Sequence, residues 1–316
     1  MKKRYFVFML IMACLCNTAY AQKRKSKPAP KPKPQPVQIS AAELLYRNML
    51  GATAKVMFVD SVVVDKSVFL SAIPLNPEAG TLVSYPAFFK VHQHLDGSVY
   101  ENEFKNAIYF SMGDSTERMG IYTADRMGTQ WSEPLKLREI GSEFEQQNYP
   151  FLMTDGVTLF FAAKGTNSLG GYDLFMTRKD AETGKFFQPE NYGMPFNSTA
   201  NDYLLAIDEI DNLGWLVSDR YQPEGMVCIY TFVPTAQRLA FKEGEVSNEQ
   251  LEGFAKLTSI ADTWAFGNRE KALKSIEALK KRLTKTAAAV SFRFPINDDK
   301  VYTKLSDFKT KQGKEM

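Results

Sequence analysis

The side chains able to do chemistry in this 316-residue chain are few and loosely grouped. There are two histidines, His92 and His94. At i and i+2 they face the same side of an extended segment, and Asp96, Glu101 and Glu103 follow closely enough to add oxygen ligands. No third imidazole or thiolate joins them, so the stretch reads as a polar insertion loop. A Ser-His-Asp hydrolase would have to draw on one of these same histidines, and the chain has no G-x-S-x-G elbow. Asp208, Glu209, Asp211 and Asp219 form a second group. Paired carboxylates serve glycoside hydrolysis or calcium binding, but acidic residues also fill the turns between strands, and the turn reading is adopted. Residues 165–171 are glycine-rich, yet they lack the Lys-Ser/Thr of a phosphate loop and run into a strand. The expectation is no catalytic residue, no metal ligand and no cofactor, with a hydrolase as a remote alternative.

The segments that could position such residues begin after an address. Lys2, Lys3 and Arg4 precede the apolar run 5–16, which is too short for a comfortable membrane span. Ala19 and Ala21 then form an A-x-A cleavage site before Gln22. This pattern predicts a signal peptide over 1–21 and an exported product, periplasmic or outer-membrane associated, with no transmembrane span. Ile11-Met12-Ala13-Cys14 also resembles a lipoprotein box, which would make Cys14 a lipidated residue behind an unusually short signal. Export removes Cys14 and Cys16 and leaves Cys228 alone, so no internal disulfide can form. Within its apolar run Cys228 reads as a small buried hydrophobe.

Residues 22–39 are a Lys/Pro-rich linker. They hold Lys23, Arg24, Lys25, Lys27, Lys31 and Lys33, with prolines at alternate positions from Pro28 to Pro36 and no acid. Proline fixes φ and removes donors, so an extended, solvated spacer is expected. Its charge would also suit an anionic neighbour such as a cell-wall polymer or lipopolysaccharide. A short helix is expected over 40–51, with Ser40 and Glu43 at capping-box spacing and Gly51 at its end. Residues 37–245 carry 16 basic and 27 acidic side chains, a net −11, whereas 246–316 carry 14 and 9, a net +5. A body this acidic is a poor reader of phosphate backbones, so nucleic acid is not an expected partner.

The organisation of 52–245 is repetitive. Tyr149-Pro150-Phe151-Leu152 leads through Asp155-Gly156 into Leu159-Phe160-Phe161-Ala162, a hairpin pattern. Tyr203-Leu204-Leu205-Ala206-Ile207, an acidic turn, and Trp215-Leu216-Val217-Ser218 repeat it. Tyr85-Pro86-Ala87-Phe88-Phe89 looks like the opening strand of another copy, its partner Ala107-Ile108-Tyr109-Phe110-Ser111 following an insertion over 92–105. The second halves recur as well: Gly120-Ile121-Tyr122-Thr123 before Trp131, and Gly171-Tyr172-Asp173-Leu174-Phe175 before Phe187. Trp131 and Phe187 are expected as apolar plugs between sheets. Gly170-Gly171 is expected to allow a close backbone approach or a positive φ. Repeats of four short strands at 54–64-residue spacing predict β-propeller blades.

The strings Asp155-Gly156-x-x-Leu159-Phe160-Phe161, Gly170-Gly171-Tyr172-Asp173-Leu174-Phe175 and Gly193-x-Pro195-Phe196-Asn197 resemble the TolB-type, WD-repeat-like β-propeller repeats of exported Bacteroidota-type envelope proteins. The resemblance covers roughly residues 56–242 and is clearest over 149–202. It implies a binding or scaffolding propeller rather than a reaction.

Over 246–316, Ser247 and Gln250 have capping-box spacing, and one helix is expected to run to about Phe266 before Gly267-Asn268 breaks it. A second helix is expected over 269–284, with Ala272, Leu273, Ile276, Leu279 and Leu283 on one face, the two forming a helical hairpin packed on the propeller. Segments 56–60 and 67–74 look like the last two strands of a blade. A terminal hairpin over 290–303 could supply its first two and close a four-bladed ring. The fold expected is therefore mainly β, a small propeller of four-stranded blades with a C-terminal helical hairpin. The expected function is a non-enzymatic envelope module that binds or scaffolds a protein partner, as in a secretion or outer-membrane complex. A carbohydrate- or peptidoglycan-binding module is the alternative.

Overall fold

A computed structural model describes residues 41–91, 97–113, 118–141, 143–290, 294–297 and 300–302. The chain opens with helix α1 (Ala41–Gly51), strand β1 (Met57–Asp65), a single helical turn α2 (Phe69–Ala72) and strand β2 (Thr81–Ser84). Helix α3 (Tyr85–Phe89) precedes β3 (Ser98–Glu101), β4 (Ala107–Met112), β5 (Gly120–Met127), β6 (Gln130–Trp131) and β7 (Leu135–Lys136). Then come β8 (Phe144–Leu152), β9 (Thr158–Gly165), β10 (Asp173–Arg178), β11 (Glu190–Asn191), β12 (Asp202–Asp208), β13 (Leu213–Ser218) and β14 (Met226–Val233). Helices α4 (Asn248–Lys256) and α5 (Arg269–Val290) and strands β15 (Phe294–Asn297) and β16 (Lys300–Tyr302) follow.

The protein is mainly β, and every strand pair described is antiparallel. The first sheet runs β2-β3-β4-β5-β6 with β7 also on β5, the second runs β11-β10-β9-β8, and the third runs β1-β14-β13-β12. The hairpins β8–β9 and β12–β13 form where continuous apolar runs, buried on both faces over most of their length, meet an Asp-containing turn. In the first, Asp155 accepts from the amides of Val157 and Thr158, each at 2.8 Å, and Gly156 takes φ +67°.

The sheets pack face to face. Tyr100, Tyr109 and Ile121 on one face of the first sheet join the main core, and the Tyr100 ring meets Phe151 of β8 at 5.0 Å. The opposite face, with Val99, Ile108 and Phe110, packs instead under α3 through Tyr85, Phe88 and Phe89. The far face of the third sheet is likewise covered by helix: α5 lies against β1 and β13, burying Ala272, Ile276 and Leu279.

Several expectations are corrected. The segment 85–89 is a helix and not a strand, because Pro86 stands in its first turn and Lys90 caps it in the left-handed region, φ 55°. The strand content of that copy is supplied by β2 and by β3, which lies within the expected insertion. The segments 56–60 and 67–74 do not form two strands of their own blade. The first belongs to β1, which runs on to Asp65, and the second contains α2. β1 pairs along its length with β14, with a bulge at Val59. It finishes the third sheet, so the expected four-bladed closure through the terminal hairpin is not formed. β15 and β16 pair with one another in a separate two-stranded sheet.

The expected single helix over 248–266 is also divided. Ser247 forms the capping box with Gln250, but Leu257 turns left-handed at φ 54°, and a 3₁₀ turn, Ala261–Phe266, follows. The break lets this turn cover the outer edge of β1. Thr263 Oγ1 accepts from the Phe58 amide at 2.9 Å, Trp264 Nε1 donates to the Phe58 carbonyl, and Arg269 Nε donates to the Val59 carbonyl. α4 packs with α1, while α5 takes the sheet.

Candidate binding cleft

A concavity of about 560 Å³ lies between the second and third sheets. β12 packs across β8, β9 and β10 of the second sheet, and the concavity lies beside it, toward β11 and the segment after β14. Phe160 of β9 and Met176 of β10 pair across the ladder and point the same way, and Ile207 of β12 faces them. With Met153 and Tyr192 they make an apolar floor. Tyr192 is held between two rings, Phe160 at 5.1 Å and Phe196 at 4.8 Å. The Arg238 guanidinium lies 5.1 Å above the Tyr192 ring and donates to the carbonyls of Tyr192 and Met194, which ties the segment after β14 to the exit of β11. Two carboxylates, Glu190 on β11 and Glu209 on the β12–β13 turn, stand at the rim, and Glu209 accepts from Thr154 Oγ1.

The framework beneath the cleft is polar and buried. Asp173 accepts from the amides of Leu169 and Gly170 and from Asn191 Nδ2 at 2.8 Å. Burial pushes its carboxyl up to about 7 against the pull of those donors. Asn197 both donates to the Leu174 carbonyl and accepts from the Leu174 amide, serving β10 as a strand would. Arg220, 3% exposed, spans the carbonyls of Pro195 and Phe196 and pairs with fully buried Asp202 at 2.5 Å. Gly170 and Gly171 serve close approach: a Cβ would lie 2.2 Å from the Ala200 carbonyl oxygen at the first and 2.0 Å from Asn201 Oδ1 at the second.

At the opposite end of the β12–β13 hairpin from Glu209 is an aromatic group. Tyr149, Tyr172 and Tyr203 meet pairwise at 5.8–6.4 Å, and Phe69 of α2 touches Tyr149 and Tyr203. Tyr149 reaches the group through a bulge in β8 where its own φ is +54°. Lys66 lies 4.3 Å over the Tyr203 ring and donates to its hydroxyl, which donates to Asp219, while Lys164 lies 4.7 Å over Tyr172.

The acidic residues 208, 209, 211 and 219, neighbours in sequence and read as turn residues, are divided between the two ends of the hairpin. Asp208 ends β12 and Asp211 sits in the turn that follows, where it binds Arg282 of α5 and Asn76. Asp219 sits at the other end of the hairpin, accepting from the Asn201 amide. Among the described residues no three His, Cys, Asp or Glu side chains are placed to share a metal ion. His92, His94 and Asp96, and residues 1–40, lie outside the described residues. Glu101 lies on β3 and Glu103 in the following turn. Cys228 is buried in β14, and burial pushes its thiol up.

The inter-sheet plug is Phe186, which meets Tyr109 at 6.3 Å, and not Phe187, which is 54% exposed. Trp131 is not a plug between sheets either; it packs on Phe88 of α3. The residues that build the cleft wall, Arg238 and Tyr192, carry no repeat signature and escaped the sequence reading. A lone arginine past the last apolar strand was their only signal. No helix among the described residues is long and apolar enough to cross a membrane. Comparison with protein-family models, curated proteins and solved structures returned no match.

Proposed function

We propose that this chain is a non-enzymatic, exported envelope protein whose repeats form a small β-propeller-type array of the TolB-like, WD-repeat-like kind, working as a protein-binding or scaffolding module. The observation that carries the reading is the cleft between the second and third sheets: a concave, partly apolar surface on a framework of buried hydrogen bonds, of a size suited to recognition. Splayed neighbouring sheets leave such a wedge in a radial array, and the repeat residues Asp173, Asn197 and Asp202 are spent on holding the sheets. The signal-like pattern over 1–21 and the cationic linker support placement in the periplasm or at the outer membrane.

A glycan- or peptidoglycan-binding role is the second reading, favoured by the partly exposed rings of Tyr149 and Tyr172 beside lysines. Affinity enrichment with the tagged chain from envelope extract separates the two. The proposal expects a protein partner recovered reproducibly in fixed ratio. Recovery of glycan fragments alone would overturn it.

A further inference from the structure

We propose that the cleft between the second and third sheets docks a segment of the partner protein that carries lysine or arginine beside apolar side chains. This rests on the binding-module reading above.

Charge is the first argument. Glu190 and Glu209 place carboxylates on opposite walls, one from each sheet. The cleft's cation, Arg238, is already committed to two carbonyls and the Tyr192 ring, so it is fixed as part of the wall. Residues 37–245, these three included, carry a net charge of −11. Arg238 keeps its charge, so with Glu190 and Glu209 the lining carries one net negative charge, and a cationic side chain that reaches the glutamates away from Arg238 is favoured over an acidic one.

The floor is the second argument. Met153 and Met176, partly exposed over buried Phe160 and Ile207, offer apolar area, and methionines are unbranched and adapt to varied side chains. A volume of about 560 Å³ takes a few side chains of an extended segment. An apolar residue would seat on Met153 and Met176 while flanking basic residues reach the two glutamates. Both walls stand on regular strands or on a turn pinned by Thr154, so the site is formed before the partner arrives.

The test is a random-peptide phage library panned on the immobilised full chain, with recovered peptides remeasured by fluorescence anisotropy. The proposal expects Lys- or Arg-flanked apolar sequences whose binding weakens at least about fivefold with added salt. The same peptides should bind the Glu190→Gln/Glu209→Gln variant about 10-fold more weakly. This variant keeps the side-chain size and the Thr154 contact, and Met176→Ala, at a partly exposed position, serves as a second probe with an expected loss of about 3-fold. Equal binding to both variants, recovery of acidic or uncharged peptides, or no recovery would overturn the assignment. The envelope partner distinguishes the two readings: if it is still enriched by Glu190→Gln/Glu209→Gln with undiminished yield, the module stands and the cleft assignment falls. If wild-type chain enriches no protein, the module reading itself falls.

Discussion

Buried carboxylates carry much of the residue-scale behaviour. Asp208 is fully buried, with Oδ1 accepting from the amides of Ile210 and Asp211 and the rest of the carboxyl set beside that of Asp211. Burial pushes it up to about 6. Burial also works to raise Asp211, but Arg282, Asp208 and Asn76 outweigh it and hold Asp211 below the usual carboxylate range. A carboxyl raised in the fold binds its proton more tightly there than in the unfolded chain. Its destabilising effect is therefore complete above pH 6 and fades as pH falls toward 4. Asp208→Asn mimics the protonated form. It should stabilise the protein by about 1–2 kcal/mol at pH 8, with the gain shrinking through pH 6 to near zero at pH 4, as read by denaturant melts across that range. A gain that is the same at every pH would contradict this. Glycine gives a second contrast. Gly171→Ala must displace Asn201 and should cost about 2–3 kcal/mol. Gly156→Ala faces open space at φ +67° and should cost about 1 kcal/mol.

At the scale of elements, the third sheet depends on the Arg220–Asp202 pair that joins its edge to the loop after β11. Arg220→Ala leaves Asp202 buried without its cation and should cost about 3–5 kcal/mol in urea unfolding. Arg220→Ala with Asp202→Ala together should cost less than the sum of the single changes; strict additivity would show the pair to be uncoupled. The hairpins β8–β9 and β12–β13 were legible because two apolar runs about an acidic turn are a local signal. The faces of α5 were legible for the same reason, its apolar residues recurring at 3/4 spacing. Helix α3 was not, since Tyr85-Pro86-Ala87-Phe88-Phe89 matches the opening Tyr-Pro of the next repeat, and only the fold under it decides whether those rings stack on a sheet or lie in one. Phe186 and Phe187 show the limit of period-two reading: both are apolar, and a slip of one residue exchanges the plug for the exposed ring. The cleft was illegible because Arg238, Tyr192 and Glu209 come from three separated segments and act only through their meeting.

For the whole molecule, the decisive feature is the use of β1 from one end of the repeats to complete the sheet at the other. The segment 56–60 announced a strand but neither its continuation to Asp65 nor its partner, since β14 lies more than 160 residues away. That pairing ties the segment preceding the first sheet into the third, and a shared core joins the sheets, with α3 on the outer face of the first and α5 on that of the third. Calorimetry of residues 41–290 against 67–290 tests this most directly. The longer chain should unfold in one transition with calorimetric and van't Hoff enthalpies in agreement. The shorter chain, which retains β2 to β14, should melt at least about 10 °C lower, or aggregate through the bare edge of β14. An unchanged, cooperative melt of 67–290 would contradict the account.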